Sequence, residues 1–286
     1  MLRLADRILL QKSTFQPKEL ADNPTWEKIM HSFITGLQKN TLPIIIADNI
    51  EKYLFPADKP LSAYDIRQGC GKPPFEACFI EWINNYDPIE GIKSGQNTSQ
   101  VGVLLVLVNK HLTKNLPPET QCELRGFVFH FVNNRISTIG CEFVIGLDSN
   151  GSILGVVRNK DTSFSIPCVI AHTLSFMNCK NVTIQDDTDE YAQPAKWYRR
   201  TKVPQVSYHT INIQPTTIRR NPNPTSTDIQ QRLHICRGHF MHYKEDGPGM
   251  FGRGVYGRFW VPQHQRGSGE LGVVHSRYNV SPPVGV

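Results

Sequence analysis

The sequence predicts an α+β fold: N-terminal helices, a central mostly antiparallel sheet and a C-terminal basic β-hairpin. Three observations lead there. Apolar residues recur at helical spacing between Trp26 and Leu37. β-Branched and aromatic runs separated by polar turns fill the middle of the chain. The last third gathers Arg, His and Gly around two short strand-like runs. The chain has 286 residues, 39% hydrophobic and 20% charged, which is ample for a buried core and ordinary for a globular protein.

The first expected helix opens at Asn23-Pro24, a cap followed by proline at the first helical position. Trp26, Ile29, Met30, Phe33, Ile34 and Leu37 give it one apolar face. A second short helix is expected over 43–55, with Ile46, Ile50, Tyr53 and Leu54 turned inward. From Phe75 the period changes to that of strands, at 76–83, 101–108, 124–132, 136–147 and 153–157. Asp148-Ser149-Asn150-Gly151 marks a hairpin, because Asn-Gly tolerates the positive φ of such turns. A helix follows from Ser165-Ile166-Pro167 to Met177, with Ile170, Leu174 and Phe176 available to the core, and 181–184 returns to the sheet.

Beyond that point the composition shifts. Residues 186–190 form an acidic loop, Lys196, Arg199, Arg200 and Lys202 a basic strip, and 205–213 alternates as a strand. The stretch 215–228, with Asn221-Pro222-Asn223-Pro224, reads as an exposed linker. The expected organisation is a core domain over 1–190, a basic strip and linker over 191–228, and a His/Arg-rich hairpin region over 229–286 packed on the core.

Charge and cysteine usage bound the function. The net charge is +6, but from residue 191 onward there are 13 Lys and Arg against 4 Asp and Glu, while residues 1–190 carry 18 against 21. His209, His234, His239, His242, His264 and His275 also fall in the last third. A basic, His-rich segment points to a polyanionic partner, most simply nucleic acid; the bland alternative is solubilising charge. Seven cysteines without paired spacing imply reduced thiols. The longest purely apolar run, 103–108, is too short to span a bilayer, and the first six residues lack the layout of a signal peptide. Secreted, membrane and fibrous classes are set aside, and a cytoplasmic chain without a cofactor is expected.

The densest chemistry lies in His234-Ile235-Cys236-Arg237-Gly238-His239-Phe240-Met241-His242-Tyr243, followed by a glycine-rich loop over 247–254 and the run from Tyr256 to Gly267. Read as strand, loop, strand, it would gather Arg237, His239 and Tyr243 with Arg258, Trp260 and His264 on one surface. Three chemistries would use such a surface. In RNA binding, Arg237, Arg253, Arg258 and Arg266 hold phosphates while Tyr243 and Trp260 stack on bases. In metal-independent phosphodiester cleavage, His239 is the base, His264 the acid, and Arg237 stabilises the transition state. A metal site from His234, Cys236, His239 and His242 fits no zinc spacing, since a strand splits these residues between its faces. Against all three stands a structural role, in which the same side chains satisfy carbonyls and pair with carboxylates such as Glu270.

Other candidates weigh less. Glu76 and Glu81 are five residues apart and point to opposite faces of a strand, which argues against an acid–base pair, and Trp82 reads as core. Cys78 and Cys179 sit among apolar residues as inert thiols. The basic strip from Lys196 to Lys202 would contact phosphate, although such runs are usually just solvated. Gly-x-Gly-x-x-Gly opens no helix anywhere, so a dinucleotide site has no support, and no P-loop, Gly-x-Ser-x-Gly or His-Glu-x-x-His pattern occurs.

The segment 234–243 followed by Trp260-Val261-Pro262 resembles the C-terminal signature of a family of phage and plasmid proteins, in which a His-x-x-Arg-Gly/Ala-His-aromatic stretch precedes a Trp-x-Pro strand. Residues 74–82, and 178–182 with 200–208, also look like segments of phage and prophage proteins. One branch sharing the signature is a type V-A anti-CRISPR, thought to lower synthesis of the effector nuclease by acting on its message during translation. The resemblance rests on Arg237, Gly238, His239, Tyr243 and Trp260, then His234. It implies a phage-encoded protein in the bacterial cytoplasm that recognises RNA or a ribonucleoprotein and suppresses a host function. A metal-independent ribonuclease and an inhibitor docking on a host protein are the alternatives.

Overall fold

A computed structural model describes residues 2–11, 24–48, 50, 72–84, 99–132, 134–138, 140–160, 162, 165–213, 232–236, 239–261, 264–266 and 268–273. Asn23, residues 51–55, the linker over 215–228, Arg237 and Gly238 lie outside them. The chain divides into two compact units, Met1–Ile213 and Gln214–Val286. Residue 190, where the composition shifts, therefore lies inside the first unit. The architecture is α+β.

The first unit is a nine-stranded sheet with helices. Its strands are β1 (Ile44–Ile46), β2 (Ala77–Asn84), β3 (Ser99–Val108), β4 (Cys122–Val132), β5 (Arg135–Ser137), β6 (Cys141–Leu147), β7 (Ile153–Arg158), β8 (Val182–Asp186) and β9 (Tyr208–Ile213). Their order is β7-β6-β4-β3-β2-β1-β9-β8, with β5 paired to β4. All pairs are antiparallel except β1 with β2 and β1 with β9. The hairpin between β6 and β7 turns at 148–151 as expected: Gly151 has φ +82°, and Asp148 Oδ1 accepts from the N–H groups of Asn150 and Ser152 at 2.8 Å.

Three expectations are corrected. The helix placed over 43–55 gives way at its start to β1, because three consecutive isoleucines favour an extended chain and all three are buried between two parallel neighbours. The strand placed over 136–147 is two, β5 and β6, separated by a turn with Gly140 at φ +100°. The acidic loop over 186–190 contains a helical turn, α4 (Thr188–Tyr191), entered where Asp186 Oδ1 accepts from the Thr188 N–H at 2.9 Å.

The other helices are α1 (Leu4–Leu10), α2 (Pro24–Gln38), α3 (Ser165–Met177) and α5 (Ala195–Thr201). The spacing of Leu4, Ala5, Ile8 and Leu9 makes α1 amphipathic, a helix additional to those expected. α1, α2 and α5 share one core with the sheet. Leu4, Ile8, Trp26, Phe33, Leu37 and Tyr198 pack on Ile44, Phe79, Leu104, Phe127, Phe129 and Tyr208. Phe33 lies 5.2 Å from Phe79 and 5.1 Å from Phe129 between ring centroids. The opposite side chains of the same strands, Cys78, Ile80, Val103, Leu105 and Val128, are also buried, so the sheet is covered on both faces. α3 holds Ile170, Leu174 and Phe176 in the core, as expected. Trp82, Cys78 and Cys179 are buried, and burial pushes the Cys78 thiol up to about 12. Cys78, Cys122, Cys141, Cys168 and Cys179 are free thiols. Among the described residues no helix is long and apolar enough to cross a membrane.

Candidate nucleic-acid interface

The second unit carries β10 (Arg232–Cys236), β11 (His239–Tyr243), a 3-10 turn (Met250–Gly252), β12 (Gly257–Val261), β13 (His264–Arg266) and β14 (Ser268–Val273). β11 and β12 form an antiparallel hairpin with His239 opposite Val261, Phe240 opposite Trp260, His242 opposite Arg258 and Tyr243 opposite Gly257. Residues opposite one another share a face. Phe240, Trp260, His242 and Arg258 therefore lie on one side, and His239, Met241, Tyr243, Phe259 and Val261 on the other.

Aromatic contacts fix both sides. Phe240 meets Trp260 edge-on at 4.8 Å, Tyr243 meets Phe259 at 5.8 Å, and the Arg258 guanidinium lies 5.9 Å from the Phe240 ring centre. The loop between the strands closes on itself. The Met250 N–H donates to the Val255 carbonyl at 2.8 Å and the Gly254 N–H to the Pro248 carbonyl at 3.2 Å. Gly249 has φ +72°, and a Cβ there would stand 2.7 Å from the Val255 nitrogen, so only glycine fits. Met250 is buried, and Arg253 stands exposed on the loop. His239, His242 and Lys244 are exposed as well, beside Glu245 and Asp246, which are also exposed.

The single surface expected from the sequence is corrected by this register. Arg258 and Trp260 face away from His239 and Tyr243, because a period of two places Phe240 opposite Trp260. Trp260, only 6% exposed, is part of the hairpin's own packing rather than a platform for bases. Of the expected strand over 234–243 the structure describes β10 and β11, and the two residues between them lie outside the described residues. β10 pairs antiparallel with β13, His234 opposite Arg266 and Cys236 opposite His264, and in parallel with β14. His239 thus sits in the two-stranded sheet and His264 in the three-stranded one. Arg237, assigned a role in both binding and cleavage, lies outside the described residues.

Sequence reasoning missed a buried charged cluster among the described residues of the first unit. The Arg3 guanidinium grips Asp48 through two nitrogens, at 2.6 and 3.2 Å, and its Nε lies 4.0 Å from Glu81. Glu81 is buried and accepts from the Ala5 N–H at 2.9 Å, tying α1 to β2. Arg7 lies over the Phe131 ring at 3.9 Å and donates to Gln100. Burial raises Glu81 to about 7, against the pull of Arg3 and the Ala5 N–H. It raises Asp6, wholly buried in α1, to about 6. The Tyr208 and Tyr198 hydroxyls ease Asp6 back only in part, and their approach falls short of a hydrogen bond of ordinary geometry. The signal was present as a single acid inside each of two apolar runs, Asp6 in Leu4–Leu10 and Glu81 in Ala77–Asn84.

A cleft of about 390 Å³ opens beside this cluster, lined by Arg3, Ile83 and residues 190–194. Its cation, Arg3, is already held by Asp48, so the cluster acts as a clasp between α1 and the sheet. Among the described residues no group of His, Cys, Asp and Glu has the geometry of a metal site. Comparison of the chain with known protein families, with curated proteins and with solved structures finds no match in any of the three.

Proposed function

We propose that the chain is a phage-encoded RNA- or ribonucleoprotein-binding protein that acts in the bacterial cytoplasm to suppress a host function, an anti-CRISPR action on effector expression being the form that the C-terminal resemblance favours. The observation that carries the RNA reading is the hairpin of the second unit. Its apolar side chains Met250, Phe259 and Trp260 are buried, while His239, His242, Lys244 and Arg253 are displayed on a loop and strands locked by backbone hydrogen bonds. A rigid hairpin of this kind holds phosphates with its cations and offers the half-buried Tyr243 to a base. The unit as a whole carries nine Lys and Arg against four Asp and Glu.

The test is purification at low salt with the 260/280 nm absorbance ratio read before and after ribonuclease, followed by titration with labelled RNA. Bound RNA and a binding constant that falls steeply with salt are expected. The double substitution Lys244→Gln/Arg253→Gln should flatten the salt slope by about 1.4, at roughly 0.7 per phosphate lost from a single strand. A chain that purifies free of RNA and ignores labelled RNA at low salt would turn the reading toward a protein-docking inhibitor.

A further inference from the structure

We infer that the outward face of α5, in the first unit, is a second RNA-contacting surface that holds the phosphodiester backbone through Lys196, Arg199, Arg200 and Lys202. The inference rests on the reading of the chain as RNA-binding and assigns that reading a site on the other unit. All four side chains are exposed, and none is ion-paired with a described residue. From residue 191 to 227 the chain carries no Asp or Glu at all.

The geometry presents these charges as one group. Lys196, Arg199 and Arg200 stand at positions i, i+3 and i+4, so they line one stripe of the helix with neighbouring side chains roughly 5–6 Å apart. Tyr198 points the opposite way into the core, and its hydroxyl accepts from the Gln193 N–H at 3.1 Å. Trp197 packs edge-on against it at 5.0 Å. Lys202 ends the helix at φ +59°, its N–H donating to the Tyr198 carbonyl at 2.9 Å, and Val203 and Val206 are buried just beyond. The stripe is therefore anchored from behind and from both ends.

Helix chemistry alone does not account for the pattern. Cations in the last turn complement the helix dipole, which explains Arg199 and Arg200. Lys196 sits in the first turn, where the dipole opposes a cation, and Lys196 with Arg200 is a like-charge pair at i, i+4, which weakens the helix. A bound polyanion offsets both costs. Two adjacent arginines also suit phosphate in particular, since each guanidinium presents paired N–H groups to its oxygens.

The test uses the full chain and a fluorescent oligouridine of about 20 nucleotides, with oligothymidine of the same length as control, titrated between about 50 and 200 mM salt. Arg199→Gln/Arg200→Gln and, separately, Lys196→Gln/Lys202→Gln should each flatten the salt slope by about 1.4. Arg199→Lys/Arg200→Lys should restore the slope, which a purely structural role for the arginines would not require. Unchanged thermal unfolding midpoints confirm that the variants fold. If both Gln pairs bind like the parent chain while Lys244→Gln/Arg253→Gln does not, the α5 surface is overturned and the hairpin reading stands. If the parent chain binds no RNA at the lowest salt, both readings fall. Oligothymidine bound as tightly as oligouridine would overturn RNA as the occupant.

Discussion

Asp6 and Glu81 are carboxyl groups sealed between α1 and the sheet, and their burial makes the stability of the first unit depend on pH. Their ordinary values of 3.8 and 4.5 rise to about 6 and about 7, with desolvation the largest cause for each. Both shifts have the same sign. At low pH the folded and unfolded chains hold the same protons. As pH rises through the folded values, the unfolded chain has already released protons that the folded chain still keeps, so stability is lost across that interval. Glu142, buried beside the Thr162 hydroxyl and raised to about 7, adds to the loss. Glu123 works the other way. Its carboxylate accepts from the N–H groups of Leu112 and Thr113 and from Arg125, and although desolvation is its largest single influence these donors together hold it below its ordinary value, so its contribution is lost as pH falls. The expected result is a urea midpoint that declines from pH 5 to pH 8. Glu81→Gln should flatten that decline and raise stability at pH 8 by on the order of 2 kcal/mol, since glutamine still accepts the Ala5 N–H and carries no charge to bury. Identical pH profiles for the two proteins would show that Glu81 does not hold its proton.

The strands show which elements sequence periodicity can resolve. β2, β3, β4 and α3 were legible because their apolar residues repeat over eight or more positions and only one period fits. β1 was not: three isoleucines are too few to separate a strand from a helical turn. The faces of the hairpin were not legible either, because they depend on which residue of β11 meets which of β12, and a glycine-rich loop leaves that register open. The glycine inside β4 raises the same question of register, and packing answers it. Gly126 lies opposite Phe143, and a Cβ on it would stand 2.1 Å from the tip of that ring. The ring occupies the space that a side chain would fill. Gly126→Ala should therefore cost about 1–3 kcal/mol through overpacking. Joined with Phe143→Leu, which withdraws the ring tip, it should cost less than the sum of the two single changes by at least about 0.5 kcal/mol. Denaturant unfolding of the four-member cycle measures this, and strictly additive energies would mean that the ring moves aside freely.

Across the whole molecule, the composition shift near residue 190 and the structural boundary at 213 mark different things. The shift records where acidic residues become sparse; the boundary records where the sheet stops. β9 was legible as a strand but not as a central one, because its place between β1 and β8 arises from parallel pairing over a long sequence separation that no local pattern encodes. That placement carries weight. Tyr208, at the start of β9, is wholly buried against Ile44, and β9 supplies the only ladders that β8 and the free side of β1 have among the described strands. Asn40 at the end of α2 is held through Ser207, which donates its N–H to Asn40 Oδ1 at 2.8 Å. A chain cut after residue 190 would leave β1 with an open parallel edge, β8 without a partner, and a cavity where Tyr208, Val203, Val206 and Tyr198 had been. Residues 1–213 expressed alone should therefore unfold in one cooperative transition, with the near-ultraviolet circular dichroism of packed aromatic rings. Residues 1–190 should lose that near-ultraviolet signal and aggregate through the exposed edge. A cooperative, well-packed 1–190 chain would show that β9 is an addition to the sheet rather than part of its core.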